Sequence, residues 1–336
     1  MELHHHPKLT SAEIANLWST YLNDTAIICL LTHFSKHTED LDIETIVKKT
    51  LDIAIDHVEK VGKILEKEKI PLPKGYPVKE HVNLDAPKLY TDIFYSDFIY
   101  NACRFALVSH VQALNLSARN DITELFRSFY QDTSSLLIEI IEVMKGKGIF
   151  IRPPYIPYPE ERDFVDKQNF LVGWLGKRRP LLAIEATNLF DQAISNQLGK
   201  ELLTGFIQVT KDKEIKDYLI RGRKLSTDIV HTVQVVLEDE LIPNGMKWDS
   251  KVTKSTEPPF SEQLMLFTTS ALNAIGLGKV GYSISMALRR DLVTSYVQIS
   301  NQIMLFSEDG SNILINRGWM EQPPQVPDRE KLSEER

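Results

Sequence analysis

The sequence predicts an all-α protein made of two tandem four-helix bundles that are related by internal duplication. Two observations carry this prediction: one long stretch occurs twice, and the apolar residues of each copy recur with helical spacing. The stretch runs from Asp56 to Pro71 and again from Asp228 to Pro243, and the separation between matching residues is the same throughout it. A period of this size is that of a whole domain and not of a solenoid unit.

The duplication extends well beyond this stretch. At the same separation, identical pairs run from Leu9 onward and include Glu13/Glu185, Asn16/Asn188, Leu17/Leu189, Phe34/Phe206 and Asp40/Asp212. Further along the chain the separation becomes slightly shorter, as in Arg119/Arg289, Asp121/Asp291 and Pro153-Pro154/Pro323-Pro324. This change predicts that the copies differ by two residues between Pro71 and Arg119, in the loop after the second helix.

Each copy contains four amphipathic helical patterns, which predict a bundle. In the first copy they run from about Ser11 to Lys36, from near Asp42 to a stop at Pro71, from about Ala86 to Leu116, and from Asp121 to Gly146. The connection between the second and third helices is long and rich in proline. Extended, it could reach roughly 50 Å, which exceeds the length of a helix of about 25 residues. It can therefore run back along the bundle, which is the ferritin-like arrangement; an up-and-down bundle with a loose loop is the alternative.

These patterns divide the chain into three parts: a first bundle at residues 1–160, a packed linker at residues 161–179 and a second bundle at residues 180–330. The linker contains Phe164, Phe170 and Trp174, which we expect to pack, so that the two halves form one rigid body. We expect the bundles to pack through outward helical faces, such as those that bear Asp56, Glu59, Asp228 and His231.

Composition and charge disfavour several classes of function. The chain is 43% hydrophobic and 25% charged, as folded soluble proteins are, and its net charge of −7 disfavours nucleic acid and anionic membranes as partners. No apolar run approaches roughly 18 residues and the N-terminus lacks a signal-peptide core, so we expect a cytoplasmic protein. Cys29 and Cys103 have no counterparts in the second copy and are expected to be buried, reduced thiols. His4-His5-His6 are given no role.

A ferritin-like bundle invites a test for a di-metal site, which needs a Glu from each of two helices and Glu-x-x-His from each of the other two. The second copy has no Asp or Glu between Glu262 and Asp291, and none from Leu292 to Phe306, which excludes such a site there. In the first copy, Asp24 lies in the apolar stripe of its helix, level with His57 on the next helix. A core-facing carboxylate needs a partner, which His57 or Arg104 could supply.

Two interpretations of this pair stay open. The first is a buried polar pair that fixes helix register, which Asn196 replaces in the second copy. The alternative is an iron, manganese or zinc site in the first bundle only, with the ligands Asp24, His57, Glu59 and Asp97. His33 and His37 also have a spacing that can hold a metal, although imidazoles near a helix C-terminus favour the helix dipole as well. No phosphate loop, dinucleotide fingerprint or nucleophile elbow is present, so we expect no enzyme and no cofactor.

Several segments carry a family resemblance: Leu9-Thr10-Ser11-Ala12-Glu13-Ile14 with Leu17-Trp18, Ile70-Pro71, Arg119-Asn120-Asp121, Arg152-Pro153-Pro154, and the stretch from Gly173 to Pro180. In this order they resemble the uncharacterised duplicated ferritin-like proteins of spore-forming bacteria, which are distantly similar to spore coat protein F. The resemblance implies two ferritin-like bundles and an association with sporulation. It implies no reaction, because the family has no established catalytic residues to transfer.

The leading interpretation is therefore a non-enzymatic helical structural or interaction protein, associated with sporulation or the spore coat. Its expected partners are other protein surfaces or further copies of itself. The metal-binding protein described above is the alternative. A third possibility is a carrier of a small apolar ligand, in a cavity lined by Phe94, Phe98 and Phe126.

Overall fold

The computed structural model describes residues 7–174, 178–242 and 251–334. The first copy contains α1 (Ser11–His37), α2 (Leu41–Lys67), the short α3 (Val78–His81), α4 (Asp92–Leu116) and α5 (Asn120–Gly146). The second contains α6 (Ala183–Val209), α7 (Lys213–Asp239), α8 (Glu262–Met286) and α9 (Arg290–Asn316), and a short α10 (Arg329–Glu334) follows. None of the helices in these ranges combines the length and the apolar run needed to cross a bilayer.

The duplication predicted from the sequence is confirmed helix by helix. α6 and α7 begin and end at the residues that the repeat makes equivalent to the ends of α1 and α2, and α8 and α9 correspond to α4 and α5 in the same way. The two-residue difference is confined to the connection that joins the second and third long helices, residues 68–91 in the first copy and 240–261 in the second. We call these two segments the crossovers.

Local signals explain where several of the long helices begin and end. The side chain of Thr10 caps α1 by accepting from the Glu13 N–H, and the Glu13 carboxylate accepts from the Thr10 N–H at 2.7 Å, a capping box. α2 and α7 each end just before a residue in the left-handed conformation, Lys69 (φ 59°) and Leu241 (φ 56°). These two residues are equivalent in the duplication, so the second copy has kept an unusual backbone conformation.

The first crossover runs the full length of its bundle, as the ferritin-like arrangement requires. The N–H groups of Glu39 and Asp40, in the α1–α2 turn, donate to the carboxylate of Asp92 at 3.0 and 2.9 Å. The start of α4 therefore lies beside this turn, at the opposite end of the bundle from the end of α2. Lys211 and Asp212 donate to Glu262 in the same way in the second copy. The predicted topology with one long crossover is confirmed.

The two crossovers pair with each other between the bundles. Antiparallel bridges join Val82 to Phe260 and Tyr90 to Val252. Val82 is equivalent to Val252 and Tyr90 to Phe260, so exchanging the copies turns one bridge into the other, as in a two-fold symmetric interface. Four backbone hydrogen bonds of 2.8–2.9 Å follow the same symmetry. On either side of the crossovers α1 packs on α8 and α4 packs on α6.

One hydrophobic core continues through this interface and contains buried residues of both copies. Tyr90 illustrates the contact: it is fully buried, stacks on Phe94 at 4.1 Å, and donates from its hydroxyl to the Leu202 carbonyl at 2.7 Å. The expectation that the bundles pack through their charged outward faces was wrong. Asp228 and His231 are exposed to solvent because the apolar surface of the interface lies on other helices and on the crossovers.

The linker side chains also differ from the expectation. Phe164 is 80% exposed and Trp174 is 60% exposed, so neither packs as predicted. Phe170 does pack, beneath the guanidinium of Arg179 at 4.3 Å from the ring centroid. Residues 161–169 are exposed throughout because the segment follows the surface of the protein without entering either core. Within the described residues, the two halves meet through the crossovers and through the helix pairs α1/α8 and α4/α6.

Candidate functional site

A cavity of about 470 Å³ passes through the middle of both bundles, and all eight long helices contribute to its wall. Its lining follows the duplication, because equivalent positions of the two copies face it. The pairs include Asp24/Asn196, Thr50/Gly222, His57/Ile229, Phe98/Thr268 and Leu136/Phe306. The cavity is therefore a feature of the whole chain and not of one bundle. Of the three phenylalanines that we expected to line a ligand cavity, Phe98 does so, whereas Phe94 and Phe126 are not part of the wall.

Asp24 and His57 meet on the cavity wall, as the sequence predicted. His57 Nδ1 lies 3.4 Å from Asp24 Oδ2, a distance that allows an ion pair when the imidazole is protonated. The His57 ring is 3% exposed, stacks on Phe129 at 3.7 Å and stands edge-on to His110 at 5.5 Å. Within the described residues, neither His57 Nε2 nor Asp24 Oδ2 has a hydrogen-bond partner. The wall thus contains a buried polar pair whose hydrogen-bonding capacity is not used.

The structure does not bring Glu59 or Asp97 to this pair. Glu59 lies on the outer face of α2, 63% exposed, with its carboxylate 3.9 Å from Lys63. Asp97 faces the second bundle and forms an ion pair with Lys251 at 2.6 Å. In the part of the chain that the structure describes, no group of three or more His, Cys, Asp or Glu side chains is arranged to hold a metal ion. The four predicted ligands therefore do not form one coordination set.

A second charged cluster lies where the cavity passes between the bundles. Arg104, which we considered as a partner for Asp24, instead forms an ion pair with Asp191 of α6. Lys279 Nζ lies 3.2 Å from the same carboxylate and donates to Ser195 Oγ at 2.5 Å. Burial lowers the pKa of the Lys279 ammonium. Burial also opposes ionisation of Asp191, but the two cations outweigh it and hold the pKa of that carboxyl below its ordinary value.

A third cluster joins Asp97, Lys251 and Glu201 at the interface. Lys251 comes from the second crossover, and its Nζ lies 3.3 Å from Glu201 in addition to its contact with Asp97. Burial raises the pKa of both carboxyls, although the lysine opposes this effect. The single cation therefore stabilises two half-buried acids that come from different bundles.

A further duplicated network lies at the ends of the bundles, where its residues were not predicted to act together. Glu13 is fully buried and accepts from the N–H groups of Ala118 and Arg119 at 2.9 and 2.8 Å, and Glu185 repeats this arrangement in the second copy. Arg289, 1% exposed, pairs with Glu240 and Asp291 at 2.6 and 2.8 Å, as Arg119 does with their equivalents. The sequence does contain a signal for this network: its charged residues are identical in the two copies, at the ends of the helices.

His33 and the two cysteines are buried groups of low reactivity. His33 is fully buried, donates from Nε2 to the Ala86 carbonyl at 3.2 Å and lies 4.3 Å from the His37 ring. Burial lowers the pKa of His33 to about 4, so the imidazole is neutral near pH 7 and cannot stabilise the helix dipole as a cation. Cys29 and Cys103 are free and buried, and burial raises the pKa of both thiols to about 12.

Comparisons with known proteins agree with a duplicated domain. The family model described as "Protein of unknown function (DUF3231)" matches twice, over residues 1–161 and 169–332. A similar curated protein is the "uncharacterized protein YvdQ" of Bacillus subtilis (strain 168), 24% identical over 147 residues, which covers 42% of this chain and 85% of that protein.

One solved structure is also similar, that of a "putative spore coat protein" from Bacillus halodurans C-125. It is 20% identical and aligns with a TM-score of 0.41 over 45% of this chain and 98% of its own. The two matches of the family model cover nearly the whole chain and coincide with the two bundles. The chain therefore belongs to the DUF3231 family and carries the domain of that family twice in tandem.

Proposed function

We propose that this chain is a non-enzymatic helical protein with a structural or interaction role, associated with sporulation. The observation that supports this role best is the way the copies are joined. The crossovers pair along a two-fold axis and one core spans both bundles, so eight helices form a single body. Such a body presents a fixed arrangement of surfaces to partners, which suits assembly into a larger structure.

The surface also supports an interaction role. Large apolar side chains are exposed on the outer helices, among them Val108 at 66%, Ile138 at 64% and Leu305 at 67%. An equivalent pair, Leu116 and Met286, is exposed at the end of α4 and of α8. Exposed apolar side chains on a folded helical body favour contacts with other proteins or with further copies of the chain. The association with sporulation is supported by the family resemblance of the sequence.

Fractionation of the organism that encodes the chain tests this role. Vegetative cells, sporulating cells and purified spores are compared by immunoblot, with coat and core extracts of the spores analysed separately. We expect the protein to accumulate during sporulation and to be recovered with the coat extract. Equal amounts in vegetative and sporulating cells, with none in the spore, would contradict the assignment. Sedimentation velocity of the purified full chain measures self-association in parallel.

Metal binding in the first bundle stays the second candidate, favoured by the contact between Asp24 and His57 on the cavity wall. These two residues could supply at most two of the ligands that a protein metal site needs. The expectation of iron, manganese or zinc therefore depends on this pair alone, because Glu59 lies on the exposed face of α2 and Asp97 is paired with Lys251.

A further inference from the structure

The part of the shared cavity that lies in the first bundle is more polar than the part that lies in the second. In the first bundle Asp24 and His57 lie on its wall, whereas their equivalents in the second bundle are the uncharged Asn196 and Ile229. The wall of the second bundle contains the apolar Leu225, Ile303 and Phe306. Its polar side chains include Thr268 and Thr269, with Lys279 where the cavity passes between the bundles. The duplication has thus produced one continuous cavity with unlike ends, which suits a molecule that has one polar and one apolar end.

The polar end has unused hydrogen-bonding capacity. His57 is 3% exposed, and in the described residues nothing hydrogen-bonds to its Nε2 or to Asp24 Oδ2. A buried polar atom without a partner costs roughly 1–3 kcal/mol. A group that donates to this carboxylate would remove that cost, and a carboxylate favours an ammonium or hydroxyl group while it repels an anion.

The cations near the cavity do not offer a competing site for an anionic head group. Lys279 is held by Asp191 and Ser195, at 3.2 and 2.5 Å, and Arg104 is paired with the same aspartate. An anion would have to displace an ion pair that is already made. Asp24 is the acidic side chain of the described cavity wall, and its Oδ2 accepts no hydrogen bond there, so this carboxylate can select a ligand.

Size and access are also suitable. A volume of about 470 Å³ lies within the range of small-molecule sites, roughly 300–1,000 Å³. The Arg104–Asp191 ion pair joins the bundles on one side of the two-fold axis. The equivalent positions on the other side are Ala274 and Ser19, both exposed and uncharged, and Ser19 is part of the cavity wall. A ligand can enter on this side without breaking an ion pair.

We propose that this cavity binds an amphipathic organic molecule with a hydrogen-bond-donating head, an ammonium or a hydroxyl group, and an apolar body. The head contacts Asp24 and His57 in the first bundle, and the body extends toward Phe306 in the second. This binding activity goes beyond the structural role, and its failure would leave that role untouched, because the cellular fractionation does not depend on a ligand.

Isothermal titration of the full chain with decylamine, decanol and decanoate tests the assignment. The three probes share an apolar body and differ only in the head. We expect saturable binding of decylamine and decanol at one site per chain, and binding of decanoate at least about tenfold weaker. Absence of saturable binding by the first two probes would overturn the proposal, and so would binding of decanoate as tight as that of decylamine.

Two variants locate the site. Asp24→Asn, which copies the residue of the second bundle, should weaken decylamine about tenfold and change decanol much less, because it removes a charge and keeps an acceptor. Gly276→Leu should weaken both probes at least about tenfold, since a Cβ at Gly276 has room, 3.8 Å from Ile303 Cδ1, and the longer side chain would fill the cavity. Gly278→Leu, on the same helix and outside the cavity wall, is the matched control.

Unchanged binding in both Asp24→Asn and Gly276→Leu would place the probes elsewhere on the surface and overturn the site. Each variant is first checked for folding by its cooperative thermal transition. Should Gly276→Leu fail to fold, Asp24→Asn decides alone, because the ratio of decylamine to decanol affinity is independent of stability.

Discussion

Lys251 Nζ lies 2.6 Å from Asp97 Oδ2, and this ion pair ties the second crossover to the first bundle. The duplication places different chemistry on the other side of the two-fold axis. The equivalent of Lys251 is His81, which lies edge-on to Tyr76, and Tyr76 in turn packs against Phe267, the equivalent of Asp97. An ion pair therefore holds this region on one side of the two-fold axis, and packed aromatic side chains hold the equivalent region on the other side.

Replacing Lys251 should destabilise the protein more than replacing an exposed lysine. Lys251→Met leaves Asp97 and Glu201 half-buried without their cation, and removal of one partner from a buried pair costs about 3 kcal/mol. The measurement is the free energy of unfolding from urea titration. Lys224→Met is the control, because its pair with Asp228 is exposed and should change stability by less than about 0.5 kcal/mol. Equal effects of the two variants would mean that the buried cluster contributes nothing.

A single methyl group should also test the interface. A Cβ at Gly205 would lie 2.4 Å from the Tyr90 hydroxyl oxygen, in a fully buried contact between the bundles. Gly205→Ala should therefore lower the free energy of unfolding by about 1–3 kcal/mol, because the Tyr90 ring cannot move away without breaking its hydrogen bond to Leu202.

The matched control is Gly278→Ala, where no described atom beyond the neighbouring residues and the backbone of its own helix lies within 4 Å of the new Cβ. Gly278→Ala should stabilise its helix by about 0.5–1 kcal/mol, because alanine loses less backbone entropy than glycine. A Gly205→Ala variant as stable as Gly278→Ala would show that the bundles are not packed as tightly as described.

Cutting the linker should not separate the two halves. Residues 161–169 are exposed and should be cleaved by limited proteolysis. The crossover hydrogen bonds and the shared core should then hold the two fragments together. We expect two bands on a denaturing gel and one peak of the intact size on gel filtration. Two separate peaks would instead mean that the bundles are independent modules.

The fold could be predicted because its signals are local. Helical periodicity, capping residues and the repeat itself are readable along the chain, and the pairing of Asp24 with His57 followed from the helix register about the turn near Asp40. The interface could not be predicted in the same way. Asp97 and Lys251 lie far apart in the sequence, and the crossovers that pair between the bundles have no apolar period of their own.

The same contrast between local signals and contacts across the bundles applies to the candidate site residues. Glu59 was a ligand of the alternative metal site only, and it lies on a face of α2 where its side chain reaches solvent and the i+4 lysine instead of the core. The predicted ligand cavity was placed in the first bundle, whereas both bundles form the observed one, and its wall combines positions that are equivalent only after superposition of the copies. A comparison of the two copies residue by residue was the one signal in the sequence that could have found it.

Metal analysis tests the remaining ligand hypothesis directly. The protein is purified without a tag and without chelator, and iron, manganese and zinc are measured against protein concentration. We expect less than stoichiometric metal, because only Asp24 and His57 of the predicted ligands lie together. Stoichiometric metal that disappears in Asp24→Ala would instead establish a metal site in the first bundle. His231→Ala, at an exposed position, is the control.

Mild acid should weaken the fold, because several histidines, foremost His33 and His110, are buried in the neutral form. Burial lowers the pKa of His33 to about 4 and that of His110 to about 3, both from an ordinary value of 6.5. A histidine with a depressed pKa contributes stability that is present above 6.5 and is lost as the pH falls toward the folded pKa. The network carboxylate of Glu185 has a lowered pKa and loses its contribution only below 4.5.

Between about pH 7 and about pH 5, the free energy of unfolding therefore changes mainly because these histidines take up protons in the unfolded state and not in the folded one. Across this range each should remove about 2 kcal/mol from the free energy of unfolding. Burial raises the pKa values of Asp97 and Glu201, so proton uptake by these carboxylates opposes the loss, and the observed decline will be smaller than the sum. Urea titrations at several pH values should show a decline that is reduced in His33→Leu/His110→Leu and unchanged in the exposed variant His231→Leu. A decline of equal size in both variants would mean that other groups cause it.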